Sequence, residues 1–203
     1  MSIHKKLKEF TAAHHDKIEQ NTLTKAIVDE TITQEAYAHL LSKFYGFYSV
    51  CEPPLEKSAL WQQAGFNIVA RRKTPMLIKD LQFLQINPAN LPLSSDLPPL
   101  QTDAQRVGFL YVMEGSTLGG QFLSRALARK FGFTAEQGAA YFNSYGTENL
   151  GDMWKEFQAL LSDFASNHPE AEDELLQTAS LTFQKLDAWL SSYLAFGGLN
   201  KVF

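Results

Sequence analysis

Hydrophobic positions recur at helical spacing through almost the whole chain. Ile3, Leu7, Phe10, His14 and Ile18 fall three or four residues apart and predict a helix over residues 2–20, laid on a core by that stripe. A polar stripe of Lys8, Thr11, His15 and Glu19 runs beside it. Thr33 is placed to cap a second helix, with Gln34 and Glu35 in its first turn. That helix runs through Tyr37, Leu40, Leu41, Phe44, Tyr45 and Tyr48 until Pro53-Pro54 stops it. Shorter helices are expected over residues 55–63 and 67–85, followed by a proline-rich loop over 87–99. A long helix then starts at Thr102-Asp103 and continues to Phe131, where Gly132 ends it. Roughly 30 residues at 1.5 Å each give about 45 Å, enough to cross a domain. Thr134 is placed to cap a short helix, and two more are expected over 148–166 and 169–196, the second opened by Pro169. The pattern predicts an all-α protein, one domain over residues 1–203 with seven or eight helices and no strand.

The long helix carries Gly115, Gly119 and Gly120 in its interior. Each costs about 1 kcal/mol against alanine, so about 3 kcal/mol of local instability needs a reason. Two readings stand level: close packing of another element, or a flat ligand lying against bare backbone.

Composition narrows the class. A formal net charge of −4 argues against nucleic acid as the main partner. A single cysteine, Cys51, excludes an internal disulfide framework and fits a reducing cytoplasm. No apolar run approaches the ~20 residues that span a bilayer. The basic start, Met-Ser-Ile-His-Lys-Lys, leads into an amphipathic segment and not a signal peptide. The expectation is a cytoplasmic protein with neither membrane nor nucleic acid among its partners.

The five histidines are few enough to weigh singly. His4 and His168 read as surface or loop positions, and His39 has no partner at metal spacing. His14 sits on the apolar stripe and reads as a packed core histidine. His15, about 100° further round the helix, belongs to the polar stripe, with Glu19 one turn on to accept from its second ring nitrogen, directly or through water. His-x-x-x-Glu alone is a weak metal signal. A carboxylate-bridged di-iron centre would need Glu-x-x-His pairs, of which there are none. Zinc would need more His or Cys at short spacing. Ser116 lacks the Gly-x-Ser-x-Gly context of a nucleophile elbow. One axial histidine, a glycine-bearing helix and an aromatic-rich helical shell together suit a haem held between two helices.

The residues also carry a family likeness. Leu7-Lys-Glu-Phe-Thr-Ala-Ala-His-His15-Asp-Lys-Ile-Glu19 resembles the proximal helix of heme oxygenases, above all the soluble bacterial, biliverdin-producing members associated with phytochrome or phycobilin chromophores. Gly115-Ser-Thr-Leu-Gly-Gly-Gln121 resembles their distal-helix signature, and Ile32 to Glu56 their aromatic second helix. The resemblance implies that His15 ligates the haem iron with Glu19 behind it, and that Lys8 and Lys155 bind propionates. It further implies that Thr11, Tyr111 and Phe183 help to form the haem site, and that Gly115, Ser116, Gly119 and Gly120 make the catalytic wall. The implied reaction opens haem, substrate and prosthetic group at once, to biliverdin, carbon monoxide and ferrous iron with O2. Its electrons would come from a ferredoxin, flavodoxin or other reductase, docked near Arg125, Arg129 and Lys130, and a phytochrome or bilin-processing enzyme would accept the product. Two departures stand out. Ser116 occupies the place of the aspartate that organises proton-delivering water in animal enzymes, so Ser116 and Thr117 would have to build that relay differently. Leu110 and Ala159 stand where those enzymes have a tyrosine and an arginine for the propionates. A non-catalytic haem carrier or sensor on the same fold is the alternative these departures suggest.

Overall fold

Ser2 opens α1 (Ile3–Glu19) by accepting the Lys5 N–H on its side chain. In this computed structural model, which describes residues 1–192, the buried line along α1 is Ile3, Leu7 and Thr11. The predicted stripe is thus displaced: Phe10 is 43% exposed and Thr11, from the polar stripe, is buried. Residues four apart drift by about 40° per step, so the face that settles against α8 and α9 leaves Phe10 outside. The Thr11 hydroxyl donates to the Leu7 carbonyl at 2.8 Å, which satisfies it in that buried position.

The turn after α1 is itself helical. Asn21 caps α2 (Thr22–Val28), an element the periodicity did not resolve because only Ile27 of it is buried. Thr33 does cap α3 (Gln34–Leu55), accepting from the Ala36 N–H at 3.1 Å. Pro53-Pro54 do not stop α3, however. They fall in its last turn, where each removes one backbone donor, and the Glu56 N–H still returns to the Glu52 carbonyl at 3.0 Å. The expected helix over 55–63 shrinks to α4 (Leu60–Gln63), and that over 67–85 divides into a 3-10 turn, Val69–Arg71, and α5 (Thr74–Phe83), with Pro75 in its first turn.

The long helix, α6 (Asp103–Phe131), has the predicted bounds. Thr102 and Gln105 form a reciprocal capping box, and Gly132 ends it with φ +74°. Thr134 does not cap a helix; its hydroxyl accepts the Glu136 N–H in a tight turn. The next helix, α7 (Ala140–Asn143), is capped from α5 instead, where both Asp80 carboxylate oxygens accept, from the Ala140 and Tyr141 N–H groups, at 2.8 Å. α8 (Gly146–Asn167) and, after a 3-10 turn at Pro169–Ala171, α9 (Glu172–Ser191) complete the described chain. The part of the last predicted helix beyond Ser192 lies outside the described residues.

Among the described residues the secondary structure is helical apart from one isolated bridge, Thr134 to Gly138. α6 and α9 pack along each other closely enough that a Cβ on Gly108 would lie 2.5 Å from the Leu175 carbonyl oxygen. α1 lies over α8 and α9, and α3 and α5 close the other side. No helix among the described residues is long and apolar enough to cross a membrane.

Candidate functional site

Between α1 and α6 lies an open cleft of about 860 Å³, within the size range of small-molecule and cofactor sites. α2 borders its mouth; Phe44 and Tyr48 of α3, Tyr141 and Phe142 of α7, Trp154 of α8, and Phe183, Leu186 and Leu190 of α9 complete its largely apolar wall. Of the residues singled out from the sequence, Lys8, Thr11, His15, Glu19, Tyr111, Gly115, Ser116, Gly119, Gly120 and Phe183 all line this one space. They come from three helices, and only the fold brings them together.

On the α1 side, the His15 side chain is half exposed and faces the cleft. Its Nδ1 is 3.6 Å from Glu19 Oε1, beyond direct hydrogen-bond range and suited to a bridging water. Phe183 meets the imidazole edge-on, with ring centroids 5.8 Å apart, so the aromatic expected in the wall packs against the histidine itself. His14 points away, 3.4 Å from the Gln184 amide, and does not line the cleft. Asp16, which sequence reasoning missed, approaches both His15 and Glu19, and ligand atoms of the three lie within 4.8 Å of one another.

On the α6 side, the three glycines separate. A Cβ built on Gly115 or Gly119 would meet no heavy atom within 4 Å, because both face the cleft one helical turn apart. A Cβ on Gly120 would lie 2.7 Å from the Phe142 carbonyl oxygen. Both readings of the glycine run therefore hold, at different residues: two expose backbone to the cleft, and one admits the α7 backbone. Ser116 donates its hydroxyl proton to the Met113 carbonyl at 2.8 Å, and Thr117 donates to the Glu114 carbonyl at 2.6 Å. With one proton each, neither has a hydrogen left to present to the cleft in this rotamer. Behind Ser116, burial pushes the Tyr48 phenol up to about 12, partly offset by hydrogen bonds with Tyr141 and Ser116. Burial also raises Tyr111, partly offset by a hydrogen bond with Thr11.

The cations are arranged differently from expectation. Lys8 lines the cleft, but Lys155 does not; it pairs with Asp152 at 3.3 Å, well exposed, while its neighbour Trp154 faces inward. Lys25 of α2 is a second cleft-lining cation that sequence reasoning did not name. Leu110 is buried in the core and Ala159 is exposed outside the cleft. Val28, Leu118 and Phe122, each more than 40% exposed, rim the same opening.

Comparison with known proteins bears on the family and the fold. The sequence model of the family described as "Heme oxygenase" matches residues 1–192. A protein named heme oxygenase from Xanthomonas campestris pv. campestris (strain 8004) is 31% identical over 144 residues, covering 68% of this chain and 79% of that protein. Heme oxygenase from Neisseria meningitidis, solved with NO and CO bound, superposes with a TM-score of 0.78 at 27% identity, covering 94% of this chain and 90% of that one. The Leptospira interrogans enzyme shares the fold, with a TM-score of 0.79 at 20% identity over 94% of this chain and 99% of that one.

Proposed function

The chain belongs to the heme oxygenase family, and from that membership and the cleft we propose that it opens haem to biliverdin, carbon monoxide and ferrous iron, with His15 as the iron ligand. It is a haem-degrading enzyme by family. The observation that carries the finer reading is the pairing, across one cleft, of an accessible imidazole on α1 with two glycines on α6 whose missing side chains leave the facing wall flat. An apolar cleft of this size with a single imidazole donor and a bare opposite wall fits a flat macrocycle, and the cleft-lining Lys8 and Lys25 suit its carboxylates.

Bound haem supplies the iron at which O2 is reduced and the ring that is opened. The protein's part is to seat it. His15 lines the cleft with Glu19 beside its Nδ1 and Asp16 close by, and Phe183 packs edge-on against its ring. Gly115 and Gly119 keep side chains off the opposite face, which leaves backbone, the Ser116 hydroxyl and water as polar groups there. Ser116, its own proton held by the Met113 carbonyl, accepts a hydrogen bond from that water. In this respect it does what an aspartate would, without the charge. Electrons come from a reductase partner. Arg125 and Lys130, exposed and without an ion pair among the described residues, are the cations we assign to an acidic ferredoxin or flavodoxin; Arg129 is already paired with Glu30 at 2.7 Å.

Hemin titration followed by addition of ferredoxin with its reductase, or ascorbate, in air tests the assignment. The Soret band should decay to bilin absorption, with biliverdin recovered by chromatography. A stoichiometric complex whose Soret band survives the reductant would instead identify a haem carrier or sensor.

A further inference from the structure

The flat wall of the cleft raises a problem of register. Gly115 and Gly119 remove the side chains that would key α6 against its cleft-side neighbours, and a slide of one residue along α6 would turn it about 100° and bring the buried Glu114 toward the cleft. Apolar contacts hold a helix but discriminate poorly between neighbouring registers, whereas directional bonds do so well.

Such bonds lie along one flank of α6. Glu114, Thr117 and Gln121, at i, i+3 and i+7, form a buried polar stripe. Two of them grip the short connection between α7 and α8. Glu114 Oε1 accepts from the Tyr145 hydroxyl at 2.6 Å, and Gln121 Nε2 donates to the Asn143 carbonyl at 2.8 Å. Between these two points the Phe142 carbonyl sits in the gap left by Gly120. Residue 144 in this connection is a serine with φ +43°, a left-handed conformation that side chains other than glycine's rarely adopt. Such strain persists only where the surroundings over-determine it, and Lys73 adds to the hold by donating from Nζ to the Tyr145 oxygen at 2.9 Å and the Ser144 hydroxyl at 3.3 Å. The second oxygen of Glu114 accepts from Arg71 Nη1 at 2.5 Å, and both cationic side chains are fully buried. Replacing buried ion networks with apolar residues is often neutral or stabilising, so their best-attested use is to specify one arrangement among several.

We propose that residues 142–145 form a clasp that sets the rotational register of α6, with Glu114, Gln121 and Tyr145 as positioning residues that keep Gly115 and Gly119 turned to the cleft. The proposal rests on the reading of α6 as the bare wall, but its test needs no haem turnover.

Hydrogen exchange by mass spectrometry on the haem-free full chain, comparing wild type with Tyr145→Phe and Gln121→Met, tests how firmly the clasp holds α6. At nearly constant volume, Gln121→Met removes the one bond to the Asn143 carbonyl, and Tyr145→Phe removes both the bond to Glu114 and the one accepted from Lys73. Amides of residues 115–121 should exchange about tenfold faster, the equivalent of one lost hydrogen bond, while α3 and α9 keep wild-type rates. With hemin added, the paramagnetically shifted proton resonances of the haem methyls should split into more sets than in wild type, reporting more than one seat. Unchanged exchange at 115–121, or acceleration spread equally over α3, α6 and α9, overturns the clasp. Should Tyr145→Phe fail to fold, Gln121→Met, which leaves the ion network intact, decides alone by the same criteria. Failure of hemin to bind either protein would count against the haem reading and leave the exchange result standing.

Discussion

The glycine run of α6 at Gly115, Gly119 and Gly120 gives the sharpest test, because substituting alanine at neighbouring positions should move stability in opposite directions. At Gly115 and Gly119 a new methyl group would meet no heavy atom within 4 Å, so nothing opposes the gain in helix propensity. That gain is about 1 kcal/mol per site. For a chain of this length 1 kcal/mol corresponds to about 2–4 °C in Tm, so the double variant should melt about 4–8 °C higher when haem-free. At Gly120 the same methyl would lie 2.7 Å from the Phe142 carbonyl oxygen, part of a backbone that cannot swing aside as a side chain can. Overpacking of this kind costs about 1–3 kcal/mol, which cancels or exceeds the propensity gain. Gly120→Ala should therefore melt at or below wild type. Thermal unfolding of the haem-free variants measures this, and hemin titration gives the functional counterpart, since Gly115→Ala and Gly119→Ala place methyl groups where the macrocycle would lie and should weaken binding as they raise Tm. Destabilisation of the haem-free protein by Gly119→Ala, or a clear gain from Gly120→Ala, would refute the division of the run into cleft-facing and packing glycines.

Other outcomes follow from the same geometry. His15→Ala should abolish the histidine-ligated ferric spectrum and reductant-dependent bilin formation, whereas His14→Ala, outside the cleft, should retain both; a ligated spectrum in His15→Ala would move the iron ligand elsewhere. Lys8→Ala should lower hemin affinity, while Lys155→Ala should not, given its outward pairing with Asp152; equal losses in fluorescence-quenching titrations would return Lys155 to the site. Burial lowers the buried Lys73 amine from 10.5 to about 8, against the attraction of Glu114. The folded protein therefore sheds this proton before the unfolded chain does, and this group's contribution to stability rises with pH between about 8 and 10.5. At 1.36 kcal/mol per pH unit the full rise is about 3 kcal/mol. Urea unfolding at pH 7.5 and 10 should show it, and Lys73→Met should flatten the difference; an equal pH response in the variant would assign the effect to other groups.

Sequence alone determined a good deal. Helical periodicity, Thr102-Asp103 and Gly132 placed both ends of α6, because caps and left-handed glycines act through residues three or four positions away. Local pattern likewise put His15 and His14 on different faces, since a 100° step separates neighbours, but it misjudged burial, because His14 is half-buried and not the packed core residue the apolar stripe implied. It failed where the partner is distant in sequence. The Asp80 carboxylate that starts α7 is 60 residues from it, and α2, with one buried residue, carries too little pattern to be read. Pro53-Pro54 read as a stop because local rules weigh the lost hydrogen bonds and not the packing that holds the last turn in place. The greatest change is to the glycine run. A glycine's identity says only that a side chain is unwelcome; whether the reason is a cleft or a neighbouring backbone is a property of what the fold brings to within 4 Å. Only the tertiary structure assigned Gly115 and Gly119 to the cleft and Gly120 to Phe142, and only it showed Lys155 facing away and Asn143 and Tyr145 hydrogen-bonded along one flank of the same helix.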